Sequence, residues 1–92
     1  MMKHSEYFEG KVQSLSLNGK FGNATVGVIE PGQYTFGTAT QETMTVVEGQ
    51  MSAKLPGQEW KVYKKGESFI VEPKVSFDCR CEESAAYICY YK

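Results

Sequence analysis

Residues 32–49 read GQYTFGTATQETMTVVEG, and the reading of this stretch decides the fold. Tyr34, Phe36 and Thr38 stand at every second position, and Glu42, Met44 and Val46 repeat the spacing. Side chains two apart on a strand share one face, so each run reads as a strand with a common inward side. The pattern continues in both directions. Turn signals fall at NGK 18–20, EPG 30–32, EG 48–49, PG 56–57, KKGE 64–67 and EES 82–84, with runs rich in Val, Ile, Thr, Tyr and Phe between them. Those runs predict strands at 11–17, 24–29, 33–39, 43–48, 50–55, 59–63, 68–72, 76–82 and 85–91. Asn18-Gly19 is a strong hairpin signal. No window of helical length keeps an apolar period of about 3.6 residues, and no repeat or linker divides the chain. The expected architecture is one all-β domain over 1–92, a small β-barrel or jelly roll.

At 92 residues, 41% hydrophobic and 13% aromatic, the chain is apolar enough to fold but near the size where one core is marginal. Oligomerisation is the usual remedy for so small a domain. The net charge is −1 and the ten Lys and Arg are scattered. The densest basic cluster, KVYKKGE at 61–67, closes on Glu67 and reads as a solvated hairpin turn, so nucleic acid is not an expected partner. No run approaches the roughly 18 apolar residues of a membrane span. MMKHSEYF has no apolar core of a signal peptide, and a cytoplasmic location is expected.

Three cysteines fit reduced thiols better than a disulfide framework. Cys79-x-Cys81 with a distant Cys89 lacks the fourth ligand of a closed zinc site, and the single histidine, His4, lies near the N-terminus in a segment expected to be mobile. Buried, unreactive thiols and no metal are therefore expected. Thiol catalysis would need a neighbouring base, and none is evident. On 76–82, Ser76, Asp78 and Arg80 share one face, and Phe77, Cys79 and Cys81 share the other.

Glu42 to Gly49 matches the E-x6-G half of the first cupin motif, and GESFIVEPKVSF at 66–77 occupies the place of the second. The histidines usual in metal cupins would fall near Phe36 and Thr38 and at Phe77, so that likeness is one of architecture. A more specific pattern, G-x-Y-x-F-x-T-x3-E-x-M-x-V-x2-G, is met by Gly32, Tyr34, Phe36, Thr38, Glu42, Met44, Val46 and Gly49. With EYFEGKV at 6–12, SFD at 76–78 and AYICYY at 86–91, it resembles the small cupin-like pyrimidine/purine nucleoside phosphorylase family along nearly the whole chain. One loop departs from the family: Glu72 stands where proline is usual, and Val75 where serine is.

The resemblance implies a homodimeric, metal-free enzyme that needs no cofactor. It would cleave the N-glycosidic bond of many purine and pyrimidine nucleosides with inorganic phosphate, giving free base and ribose 1-phosphate. The runner-up is a cupin-like module that binds a small molecule and catalyses nothing. Phosphorolysis passes through a sugar with oxocarbenium character, so a carboxylate near the ribose, an anion cradle and a wall for the base are required. Glu42 is the candidate for gripping the ribose hydroxyls, and Thr38 and Tyr34 complete the catalytic set. Thr38, Ser76 and backbone N–H groups are candidates for phosphate. Asp78 is a further candidate for binding substrate, and Arg80 would add a bidentate donor, although an inward Phe77 would turn both outward. Phe36, Met44, Phe77 and Tyr87 either pack around the base or serve as ordinary core.

Overall fold

The alternation of Ser76–Cys81 is realised as a strand whose Phe77, Cys79 and Cys81 are buried while Ser76 and Arg80 are exposed. The same inward–outward rhythm builds the whole chain. The computed structural model describes residues 2–20 and 22–92. It contains ten strands and, among the described residues, no helix: β1 His4–Tyr7, β2 Val12–Gly19, β3 Gly22–Ile29, β4 Gly32–Gly37, β5 Glu42–Glu48, β6 Gln50–Lys54, β7 Lys61–Lys64, β8 Ser68–Val71, β9 Ser76–Cys81 and β10 Ala85–Tyr91.

The strands form two antiparallel sheets, ordered β1-β2-β3-β10-β5-β8 and β4-β9-β6-β7. The edge strands of one sheet are not hydrogen-bonded to those of the other. The chain is thus a two-layer jelly roll, as expected, with sheets that do not close into a barrel. Val12, Ile29, Val46, Met51, Val71 and Cys79 are sealed between the layers. Each such aliphatic side chain contributes roughly 1.5–3 kcal/mol by leaving water.

Three expectations change. Strand β1 was not predicted, because HSEY carries little apolar pattern. It is held by its ladder to β2, with Lys3 N–H donating to Ser16 Oγ at 2.7 Å and His4 Nε2 3.0 Å from Gln13 Oε1. His4 is therefore part of a strand and not of a loose terminus. The β2–β3 hairpin forms, but Asn18 and Gly19 pair with Asn23 and Gly22, so the turn lies beyond them. The segment 64–67 turns, yet β7 and β8 belong to different sheets, so it carries the chain from one layer to the other. Glu67 closes it by accepting a bond from Lys64 N–H at 2.7 Å.

Candidate functional site

The inward faces of both sheets diverge at one end and leave a cavity of about 510 Å³, within the usual range for small-molecule sites. Strand β10 contributes Tyr87, Cys89 and Tyr91, and β5 contributes Glu42 and Met44. Across from them stand Phe36 of β4 and Phe77 of β9, with Met51 behind. The end of β1 brings Tyr7 and the turn after it Phe8, and the loop after β4 brings Ala39 and Thr40.

Antiparallel register explains why these residues meet. Glu42 pairs with Tyr91 and Met44 with Cys89, so the inward positions of β5 and β10 lie side by side. Space for Tyr87 comes from the opposite neighbour, Gly27, whose inward Cβ would lie 2.6 Å from the Tyr87 ring carbon and hydroxyl. A side chain at position 27 would occupy the volume in which the phenol now rests.

Glu42 is half-buried and, among the described residues, is the only carboxylate in the lining. Burial raises its carboxyl above the ordinary 4.5, and the Cys89 thiol opposes this by donating to Oε1 at 3.4 Å. Cys89 itself is pushed up to about 12, first by burial and then by the adjacent carboxylate, so it remains an S–H donor. Burial also pushes the Tyr91 phenol up to about 12, with its bond to Thr25 Oγ1 (2.9 Å) acting the other way. Tyr87 is raised too, again by burial, with Tyr91, Cys89 and Tyr7 near enough to add to the effect. The cavity thus holds one carboxylate among neutral phenol and thiol donors. No Lys, Arg or His lines it among the described residues.

The opposite wall is a row of rings. Phe8 lies 5.5 Å from Phe36 edge-on, Phe36 lies 5.7 Å from Phe77, and Phe77 lies 6.1 Å from Phe69. Such spacings match the offset and edge-to-face contacts that aromatic quadrupoles favour.

Of the residues singled out in the sequence, Glu42, Phe36, Met44, Phe77 and Tyr87 line the cavity together. The others lie elsewhere. Tyr34 is buried, but its hydroxyl donates to Glu30 O at 2.8 Å and reaches Pro31 O at 3.2 Å. Thr38 ties its loop to the 72–75 turn: Oγ1 donates to Glu72 O at 2.7 Å and accepts from Val75 N–H at 3.1 Å. Its hydroxyl is committed to structure. Ser76, Asp78 and Arg80 fall on the outer face of β9, as the inward Phe77 requires. There Asp78 accepts from Thr35 at 2.8 Å, and the Arg80 guanidinium stacks on Trp60 at 4.0 Å.

Cys89, Tyr91, Tyr7 and Phe8 were not singled out as site residues from the sequence. The parity of β10 gives a signal for the first two, since Tyr87, Cys89 and Tyr91 share a face. Cys79 and Cys81 are buried free thiols, with Cys81 donating to Glu30 O at 3.3 Å. No group of three or more His, Cys, Asp or Glu suited to a metal occurs among the described residues. No described helix is long and apolar enough to cross a membrane.

Comparison with known proteins follows the same lines. The family model described as pyrimidine/purine nucleoside phosphorylase matches residues 2–91. A relative from Magnetococcus marinus bearing that name is 48% identical over 92 residues, which span 99% of each chain. A solved Vibrio parahaemolyticus protein of unknown function superposes with a TM-score of 0.95 at 43% identity, covering 100% of this chain and 99% of that one. An RmlC-like cupin from Shewanella frigidimarina superposes at 0.74 with 22% identity, over 96% of this chain and 80% of its own. That likeness supports the cupin jelly roll and nothing finer.

Proposed function

The chain belongs to the pyrimidine/purine nucleoside phosphorylase family, and from that membership we propose that its cavity cleaves nucleosides with inorganic phosphate, without metal or organic cofactor. One observation carries the assignment of the site: a single half-buried carboxylate, Glu42, faces a wall of aromatic rings across one cavity. The carboxylate accepts from the ribose hydroxyls and stabilises the positive charge that grows on the sugar as the base departs. In a partly desolvated setting this attraction is stronger than in water. The rings of Phe36 and Phe77, with Met44, receive the base, and stacking accepts every base because each has a π-face.

Phosphate needs a different account from the one that placed Thr38, Ser76 and Arg80 around it. Because no cation lines the cavity among the described residues, neutral donors hold the anion: the phenols of Tyr87 and Tyr91 and the hydroxyl of Thr40. High phenol pKa values keep Tyr87 and Tyr91 protonated, and so donating, at any working pH. Neutral donors also spare Glu42 a competing cation, leaving its charge for the sugar.

We further propose that two copies associate through the outer face of the six-stranded sheet. Leu15, Val26, Val28 and Ile70 are exposed there, with Leu15 directly opposite Val26. An apolar face of this kind marks an interface more often than a solvated surface.

The test is release of free base from uridine, inosine, adenosine and cytidine, with and without phosphate and with EDTA throughout. Release only with phosphate, and its loss in a folded Glu42→Ala variant, is expected. A folded protein that releases no base from any nucleoside would instead be a non-catalytic binding module.

A further inference from the structure

We infer that the turn joining β1 to β2 is a clamp and that Phe8 holds the nucleobase; the inference rests on the cavity being a nucleoside site. Three consecutive residues, Phe8, Glu9 and Gly10, have φ of 54°, 58° and 85°. A phenylalanine in the left-handed region is an outlier that persists only where its surroundings over-determine it, and such residues gather at ligand clamps. The surroundings do so here. Gly10 N–H donates to Tyr7 O and Lys11 N–H to Phe8 O, both at 3.2 Å. Gln13 Nε2 donates to Gly10 O at 2.9 Å.

The strained backbone aims the Phe8 ring into the cavity lining, 4.9 Å from Tyr34 and 5.5 Å from Phe36. Along the row of rings, Phe8 is 42% exposed, Phe36 is half-buried and Phe77 is 3% exposed. The row therefore runs from mouth to floor, and Phe8 is its outermost member. A ring held on a costly backbone and left so open gains little from protein contacts alone. A planar base lying against Phe36 and Phe77 would bring its own face to Phe8 and cover it. The sugar is then directed to the opposite wall, where Glu42 and Tyr91 are neighbours in register. Phe8 is a specificity-determining residue in this arrangement: it selects for a flat, polarisable leaving group and tolerates both ring sizes.

Calorimetric binding of inosine and uridine, without phosphate, tests the clamp directly. In Phe8→Ala the Kd should rise by about fivefold to a hundredfold, the range of a lost base–aromatic stack, while Phe8→Trp should keep it within about threefold and Phe8→Leu should not. Gly10→Ala leaves the ring intact and meets Gln13 Nε2 only at an ordinary 3.5 Å, so it acts through the backbone. It should weaken binding in the same direction by moving the turn. Thermal melting of each variant confirms folding. Unchanged affinity in a folded Phe8→Ala, or no nucleoside binding by the wild type, overturns the clamp. Base release with phosphate is a separate arm: a wild type that binds nucleosides but releases no base refutes phosphorolysis and leaves the clamp standing.

Discussion

The Cys89 thiol donates to the Glu42 carboxylate across neighbouring strands, Sγ to Oε1 at 3.4 Å. It favours the ionised carboxylate against the burial that disfavours it. Phosphorolysis by ionised Glu42 should rise with pH through a midpoint above 4.5, the carboxyl's ordinary value. Cys89→Ala removes the donor and should move that midpoint to higher pH, whereas Cys89→Ser, with a stronger donor, should move it down. A pH–rate profile of the three proteins checks this; coincident profiles would show that the thiol has no hold on the carboxylate.

The same shift has a consequence for stability. The folded chain binds the Glu42 proton more tightly than the unfolded chain does. Glu42's favourable contribution is therefore complete below the ordinary carboxylate value and is lost as pH rises through the raised one. Glu42→Gln removes this loss. It should lower kcat by about 10²–10³ while melting at or above the wild-type temperature at neutral pH, and the two melting points should converge in acid. Paired activity and melting measurements at two pH values decide the matter.

Gly27→Ala should push Tyr87 toward the cavity. The new Cβ would lie 2.6 Å from the phenol carbon and hydroxyl, too close for the ring to stay where it is. A loss of about 1–3 kcal/mol is expected, as for other overpacked cores. Activity should fall further than that stability loss explains, because the proposed phosphate donor is displaced. Urea unfolding alongside kcat separates the two effects.

Thr38→Val should loosen the rim without touching the chemistry. It deletes the bonds to Glu72 O and from Val75 N–H, at a cost of about 1–2 kcal/mol. Chemical denaturation should register this, with kcat under saturating substrate staying within about threefold.

Arg80→Ala tests the anion site from outside. Its guanidinium lies over Trp60 on the outer face, so about 0.5–1 kcal/mol of stability should be lost and the KM for phosphate should not move. A large rise in that KM would place the phosphate on the other side of β9. Val28→Lys probes the proposed interface in the same spirit: at one protein concentration, light scattering should report a dimer for the wild type and a monomer for the variant.

Much of the fold was legible because strand parity is local. Phe77, Cys79 and Cys81 announce their common face by alternation, and so do Tyr87, Cys89 and Tyr91. Parity also grouped Phe36 with Tyr34 and Met44 with Glu42, and set Phe77 opposite Arg80, but which side of β9 faces inward is shown only by the structure. What parity cannot give is which inward residues become neighbours. Cys89 meets Glu42 only through pairing between β10 and β5, residues 47 apart in the chain. Tyr34 shows the complementary limit: its inward direction is readable, but its hydroxyl turns back to Glu30 and Pro31. Strand β1 and the Phe8 turn were missed because polar HSEY lacks pattern and because nothing in a phenylalanine advertises a positive φ.

Strand β10 follows every other strand in chain order yet lies between β3 and β5 in the larger sheet. During synthesis, the first nine strands therefore wait with two open ladders where a tenth must insert. Until it does, the cavity lacks Tyr87, Cys89 and Tyr91, and Glu42 has no thiol beside it. Pairings so distant in sequence are slow to form. The strand that completes the larger sheet is thus also the one that completes the cavity wall.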